Sequence, residues 1–194
     1  MMRRLVGMWS LRILFAIGVV IGISAPLSAE TAELPEYQLK ALFIFNFAKF
    51  ITWPPDTFEA PDAPIIIAVL GEDPFGPALQ QTLLGKSVQG HPIQIIHLAS
   101  GEPVSSCHIL FVARSEKDRL ISTLEQVAGR AILTVGDFDR FAHRGGMINL
   151  FIEGKAIRFE INANATEKAG FKVSSKLGGL GVIVRGDVVK GSVP

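Results

Sequence analysis

The chain has 194 residues, with 19 Lys and Arg against 18 Asp and Glu and a formal charge of +1. That balance leaves no basic stripe to neutralise phosphates, so nucleic acid is excluded as a partner. The only cysteine, Cys107, excludes an intramolecular disulfide.

Taken in chain order, the first element is a leader. Arg3, Arg4 and Arg12 precede an apolar run over residues 13–25, and Pro26-Leu27-Ser28-Ala29 then leads to Glu30. A basic start, a short apolar middle and a small residue at the cut describe a secretory signal peptide. The run is about 13 residues long, against roughly 20 needed to span a bilayer. The expected organisation is therefore a cleaved signal peptide over 1–29 and one domain over 30–194, exported to the periplasm. Removing 29 of the 194 residues leaves 165; three arginines and no acids go with them, so 16 basic and 18 acidic residues remain, a formal charge of −2. A chain of that size holds a single domain with a real core.

The folded part opens with a helix over 34–50. Pro35 suits a first turn and Glu36 its positive dipole end. Leu39, Leu42, Phe43, Phe47 and Phe50 recur at helical spacing. Ile44 and Phe45 widen the stripe, so the helix is either nearly surrounded by protein or turned toward a partner. Trp53-Pro54-Pro55 prevents its continuation. Residues 64–70 are short, branched and continuous, the pattern of a strand buried on both faces. Gly71-Glu72-Asp73-Pro74-Phe75-Gly76 turns into a helix over about 74–84. Strands are expected over 93–98, 107–113 and 131–135, with a helix from 114 to 128 and at most a helical turn over 138–142.

The pattern then changes. Residues 147–153 and 155–162 flank Gly154. Ile157, Phe159 and Ile161 alternate with Arg158 and Glu160, which describes an antiparallel hairpin with one solvated face. Residues 162–169 read as a helix capped by Asn162 or Asn164. A short segment follows over 171–177, Gly178-Gly179-Leu180-Gly181 breaks it, and the tail to Pro194 is weakly specified. The expected fold class is three-layer α/β: a Rossmann-like half-sheet with mixed strands and a closing antiparallel hairpin.

No catalytic, cofactor or metal set stands out. The turn at 71–76 places Asp73 and Pro74 where a dinucleotide site needs glycines and backbone donors. Gly85-Lys86-Ser87 lacks the glycine that a phosphate loop requires five residues earlier. His91, His97, His108 and His143 share no metal-ligand spacing; His97 and His143 are free to meet an acid in space, but satisfied structural roles are expected for them. Asp137 and Asp139 are expected in capping or turn roles. Cys107 is expected to be a buried, inert thiol. The balance favours a binding or regulatory module over an enzyme. Its candidate partner-binding residues lie on the hairpin: Phe151, Arg158 and Glu160. If Leu150 and Ile152 pack inward, Phe151 stands outside beside the charged pair, and aromatic and Arg residues anchor interfaces.

Several segments together resemble the YfiR-like periplasmic regulator family. They are Glu36-Tyr37-Gln38-Leu39-Lys40-Ala41-Leu42 with Trp53-Pro54, the 71–76 turn, Cys107-His108-Ile109-Leu110-Phe111-Val112, Gly146-Met147-Ile148-Asn149, Arg158-Phe159-Glu160-Ile161-Asn162 and Ser174-Ser175-Lys176-Leu177. The resemblance covers about 36–177. It implies a non-enzymatic regulator that represses an inner-membrane diguanylate cyclase of the YfiN type by contacting its periplasmic sensor domain. It also implies an outer-membrane lipoprotein, YfiB in the best-known case, that sequesters the repressor. The output is cyclic di-GMP and biofilm formation. Relatives that use disulfides are not matched here, since Cys107 is alone, and the glycine run implies that the last helix stops early. A homodimer stays open. The alternative function is a small-ligand or solute-binding accessory protein serving a transporter or outer-membrane receptor.

Overall fold

The computed structural model describes residues 35–186. The leader and the last eight residues, with the expectations placed on them, lie outside the described residues. The first half comprises α1 (Glu36–Phe50), β1 (Ile51–Thr52), β2 (Ile65–Leu70), α2 (Pro77–Leu83), β3 (Ser87–Val88), β4 (His91–Leu98) and β5 (Ile109–Val112). A 3-10 helix (Arg114–Arg119) leads into α3 (Leu120–Val127) and β6 (Leu133–Gly136), and a 3-10 turn (Ala142–Arg144) precedes β7 (Ile148–Glu153) and β8 (Ala156–Asn162). The chain closes with α4 (Ala163–Lys168), β9 (Lys172–Val173), α5 (Ser175–Gly178) and β10 (Val182–Val184).

Eight strands form one sheet in the order β10-β8-β7-β6-β5-β2-β4-β3, and β1 pairs with β9 in a separate two-stranded ribbon. From β7 to β4 all neighbours run parallel, while β8 is antiparallel to β7 and β3 to β4. Alternation along the strands divides the core. Ile65, Ile67, Val69, Ile109 and Phe111 join α1 and α2 on one side. Ala68, Leu70, Leu110 and Val112 join α3 on the other. This is the expected three-layer arrangement with the closing hairpin β7–β8. Among the described residues no helix is long and apolar enough to cross a membrane.

The rotation of α1 differs from the expected stripe. Its buried apolar positions are Ala41, Ile44, Phe47 and Ala48, whereas Leu39, Leu42, Phe43 and Phe50 are half-covered. A helix apolar on nearly every side carries little rotational information, and small Ala41 and Ala48 let its backbone lie close to the sheet. The tail is also more ordered than expected up to Val184. β10 pairs in parallel with β8, Val182 opposite Glu160. Gly181 permits this return, since a Cβ there would sit 2.4 Å from the Phe159 ring. α5 does stop after four residues, as the glycine run implies.

The strand order reverses between β2 and β5, the point where doubly wound sheets hold ligands in the crevice at the strands' carboxyl ends. Here the chain fills that crevice itself. The Glu72 N–H donates to Ser115 Oγ at 2.9 Å. Gly71, at φ +91°, approaches so closely that an added Cβ would fall 2.4 Å from the same oxygen. Cys107 is buried, and burial pushes its thiol up to about 11 against the opposing pull of Arg130. A thiol in that state is poorly nucleophilic.

Candidate functional site

β7 pairs with β8 over its whole length, from Ile148 opposite Ile161 to Glu153 opposite Ala156. It pairs with β6 only at Val135–Ile148 and Gly136–Asn149. Beyond that last pair, among the described residues, the other edge of β7 has no strand beside it. A cleft of about 450 Å³ opens at this step, at the carboxyl ends of the parallel strands. α1 contributes Glu36 and Lys40, the turn after β5 contributes Arg114, and the loop after β6 contributes Asp137 to Arg140. His143, Asn149 to Ile152 and Glu160 complete the lining.

The floor is a buried ionic network. Lys40 Nζ lies 2.6 Å from Asp137 Oδ2, and their side chains are 4% and 1% exposed. Lys40 also pairs with Glu36 one turn earlier. The Tyr37 hydroxyl donates to the same Asp137 oxygen at 2.9 Å. Burial alone would lower the Lys40 pKa, but its hydrogen bonds to Asp137 and Glu36 outweigh that and the net shift is upward. Tyr37 is raised by burial and then by the Asp137 charge. Lys40 therefore stays charged at any physiological pH.

Above the floor, Arg114 Nη2 donates to the Asp137 carbonyl at 3.1 Å. Asn149 Nδ2 donates to Glu160 Oε2 at 3.2 Å, and His143 Nε2 lies 3.5 Å from Glu160 Oε1. Asp137 Oδ1 and Asn149 Oδ1 are buried with no hydrogen-bond partner, a costly condition for an acceptor. On the rim, Arg140 adopts φ +60°, a strained conformation for a side chain of its size.

The hairpin residues expected to bind a partner are divided by this geometry. Phe151 is half-buried on the cleft wall, and Glu160 faces the same cleft. Arg158 sits opposite Phe151 in the ladder but outside the cleft, exposed and bridged to Glu153 at 3.3 Å. Leu150 packs inward as expected, whereas Ile152 is 53% exposed, because the hairpin projects past the point where β6 ends. Asp137 is no turn cap; it is the centre of the buried network. The two histidines free to meet an acid do so: His143 lies beside Glu160, and His97 Nδ1 lies 3.8 Å from Asp73 Oδ2. Among the described residues no group of three or more His, Cys, Asp or Glu could hold a metal ion. The cleft can donate through Arg114 and Arg140 and accept through Asp137, Asn149 and Glu160, and it presents an aromatic wall.

The chain is a doubly wound α/β domain with a polar cleft beside an open hairpin edge. Residues 37–181 match the YfiR/HmsC-like family, well over half of the chain, and the protein belongs to that family. Membership supports a periplasmic regulator of YfiN-type signalling in general. No curated protein matches the chain.

Proposed function

We propose that this protein is a non-enzymatic periplasmic repressor, exported by a cleaved signal peptide, that docks the sensor domain of an inner-membrane diguanylate cyclase. The docking surface is the β7–β8 hairpin and the adjoining cleft, with Phe151, Arg158 and Glu160 as its contacts. The observation that carries this reading is the unpaired edge of β7. The Asn162 N–H donates to the Met147 carbonyl, so by alternation Leu150 and Ile152 turn their N–H and C=O groups away from β8. The Leu150 N–H still faces Gly136, where the β6 ladder ends; the Leu150 carbonyl and the Ile152 N–H and carbonyl meet no strand among the described residues, and an extended partner segment adds there as a further strand. Phe151 anchors the wall, and Arg158 and Glu160 flank it with opposite charges. An outer-membrane lipoprotein competing for the same protein would relieve the repression.

A second reading draws on Asp137 Oδ1 and Asn149 Oδ1. Two unpartnered buried acceptors beside the cleft favour a small ligand bearing hydrogen-bond donors, and hence an accessory protein of a transporter or receptor. A pull-down from solubilised membranes, read by mass spectrometry, separates the two. The expected capture is an inner-membrane protein with a cyclase domain, lost with Phe151→Ala. A transporter subunit or outer-membrane receptor, captured equally by the variant, would contradict the repressor reading.

A further inference from the structure

At the amino ends of β2 and β5, His108 takes the place of a backbone carbonyl in the ladder. Its N–H donates to the Ile66 carbonyl at 2.8 Å, and its ring Nδ1 accepts the Ile66 N–H at 2.9 Å. A ring nitrogen that accepts carries no proton, so the imidazole is neutral, with its proton on Nε2. The Thr57 backbone is a further hydrogen-bond partner. One face of the ring stacks on Phe58, with centroids 5.0 Å apart and an interplanar angle of 24°. His91 stacks on Phe58 as well, at 4.0 Å and 22°, and His91 Nδ1 lies 2.7 Å from the Ala63 carbonyl. Two imidazoles and one phenyl thus hold residues 53–64, the connection from β1 to β2, against the sheet.

We propose that His108 is an acid-sensitive latch: protonation of Nδ1 removes the acceptor for the Ile66 N–H and releases residues 53–64 from the sheet edge. A protonated ring cannot accept that bond and instead opposes one donor with another. The charged and titratable groups around it are Asp56 and Glu59 from the loop, His91 from β4, adjacent Cys107, and Arg130 from the turn after α3. The acids favour the cation, while His91 and Arg130 oppose it. Arg130, which donates to the Val104 and Ser105 carbonyls at 2.9 and 2.6 Å, has no acceptor atom to offer the freed Ile66 N–H. Release reaches further, since Trp53 packs on Phe171 at 5.5 Å and β1 pairs with β9.

Burial lowers the His108 pKa below its ordinary 6.5, with the Thr57 bond and Glu59 opposing and His91 adding to the shift. The open loop therefore binds protons more readily than the closed one. The closed state has its full stability above about pH 6.5 and loses it as pH falls toward the folded-state value. Within that window each pH unit multiplies the open population by up to about ten. The latch lies away from the hairpin cleft and does not depend on which partner docks there.

Limited proteolysis between about pH 7.5 and about pH 5.5, normalised to a peptide of the loop sequence, reads the opening directly. Cleavage within 53–64 should rise on acidification, by at most about tenfold. It should stay flat in His108→Asn, whose amide oxygen accepts the Ile66 N–H without titrating. A pH-independent wild type, or an equal rise in the variant, would overturn the latch. If His108→Asn does not fold, nitrogen NMR of the wild-type ring decides. An unprotonated Nδ1 near neutrality, titrating below about 6.5 together with the Ile66 amide, is required. A protonated Nδ1, or a midpoint at or above that value, overturns the latch.

Discussion

Lys40→Met should cost about 3–5 kcal/mol of stability at neutral pH, because it strands the Asp137 charge in the interior. The side chains of the pair are almost wholly covered, and the Tyr37 hydroxyl alone would remain to solvate that carboxylate. Adding Asp137→Asn should recover most of the loss, since a neutral amide needs no counter-ion and well-packed neutral replacements of a buried pair are often near neutral in stability. Denaturant melts of the single and double variants measure both numbers. A single-variant loss under about 1 kcal/mol would mean that Asp137 reaches water or binds its proton, and that the network is less enclosed than its geometry indicates.

Phe47→Ala should cost about 3–5 kcal/mol. Its side chain is fully buried and its ring meets Phe159 edge-on at 5.2 Å. Phe43, also against Phe159 at 5.7 Å, is only half-covered, so Phe43→Ala should cost clearly less. The contrast tests the observed rotation of α1. Equal losses would place both residues in the core, and no loss from either would turn that face toward a partner.

Much of the fold was legible because its signals are local. The apolar run over 65–70, the alternation of Ile157, Phe159 and Ile161, and Asn162 as a cap all state their structure within a few residues. Asn162 does accept the Ala165 N–H at 3.2 Å. What escaped was set by distant pairing. β1 and β9 are two residues each, too short to show a period, and exist only because they meet each other. β10 carries no alternation of its own and is defined by β8. The site was half legible for the same reason. Phe151 and Glu160 stand out on a hairpin, but Lys40 and Asp137 are 97 residues apart. The one local sign of Lys40 was a cation in an apolar helix one turn after Glu36. For Asp137 it was an acid ending a buried strand.

The most direct test of the repressor reading is cellular cyclic di-GMP. Deleting the gene should raise it, and Phe151→Ala or Arg158→Glu should raise it to the deletion level while the purified variants melt like wild type. A deletion strain whose cyclic di-GMP is unchanged would contradict the account.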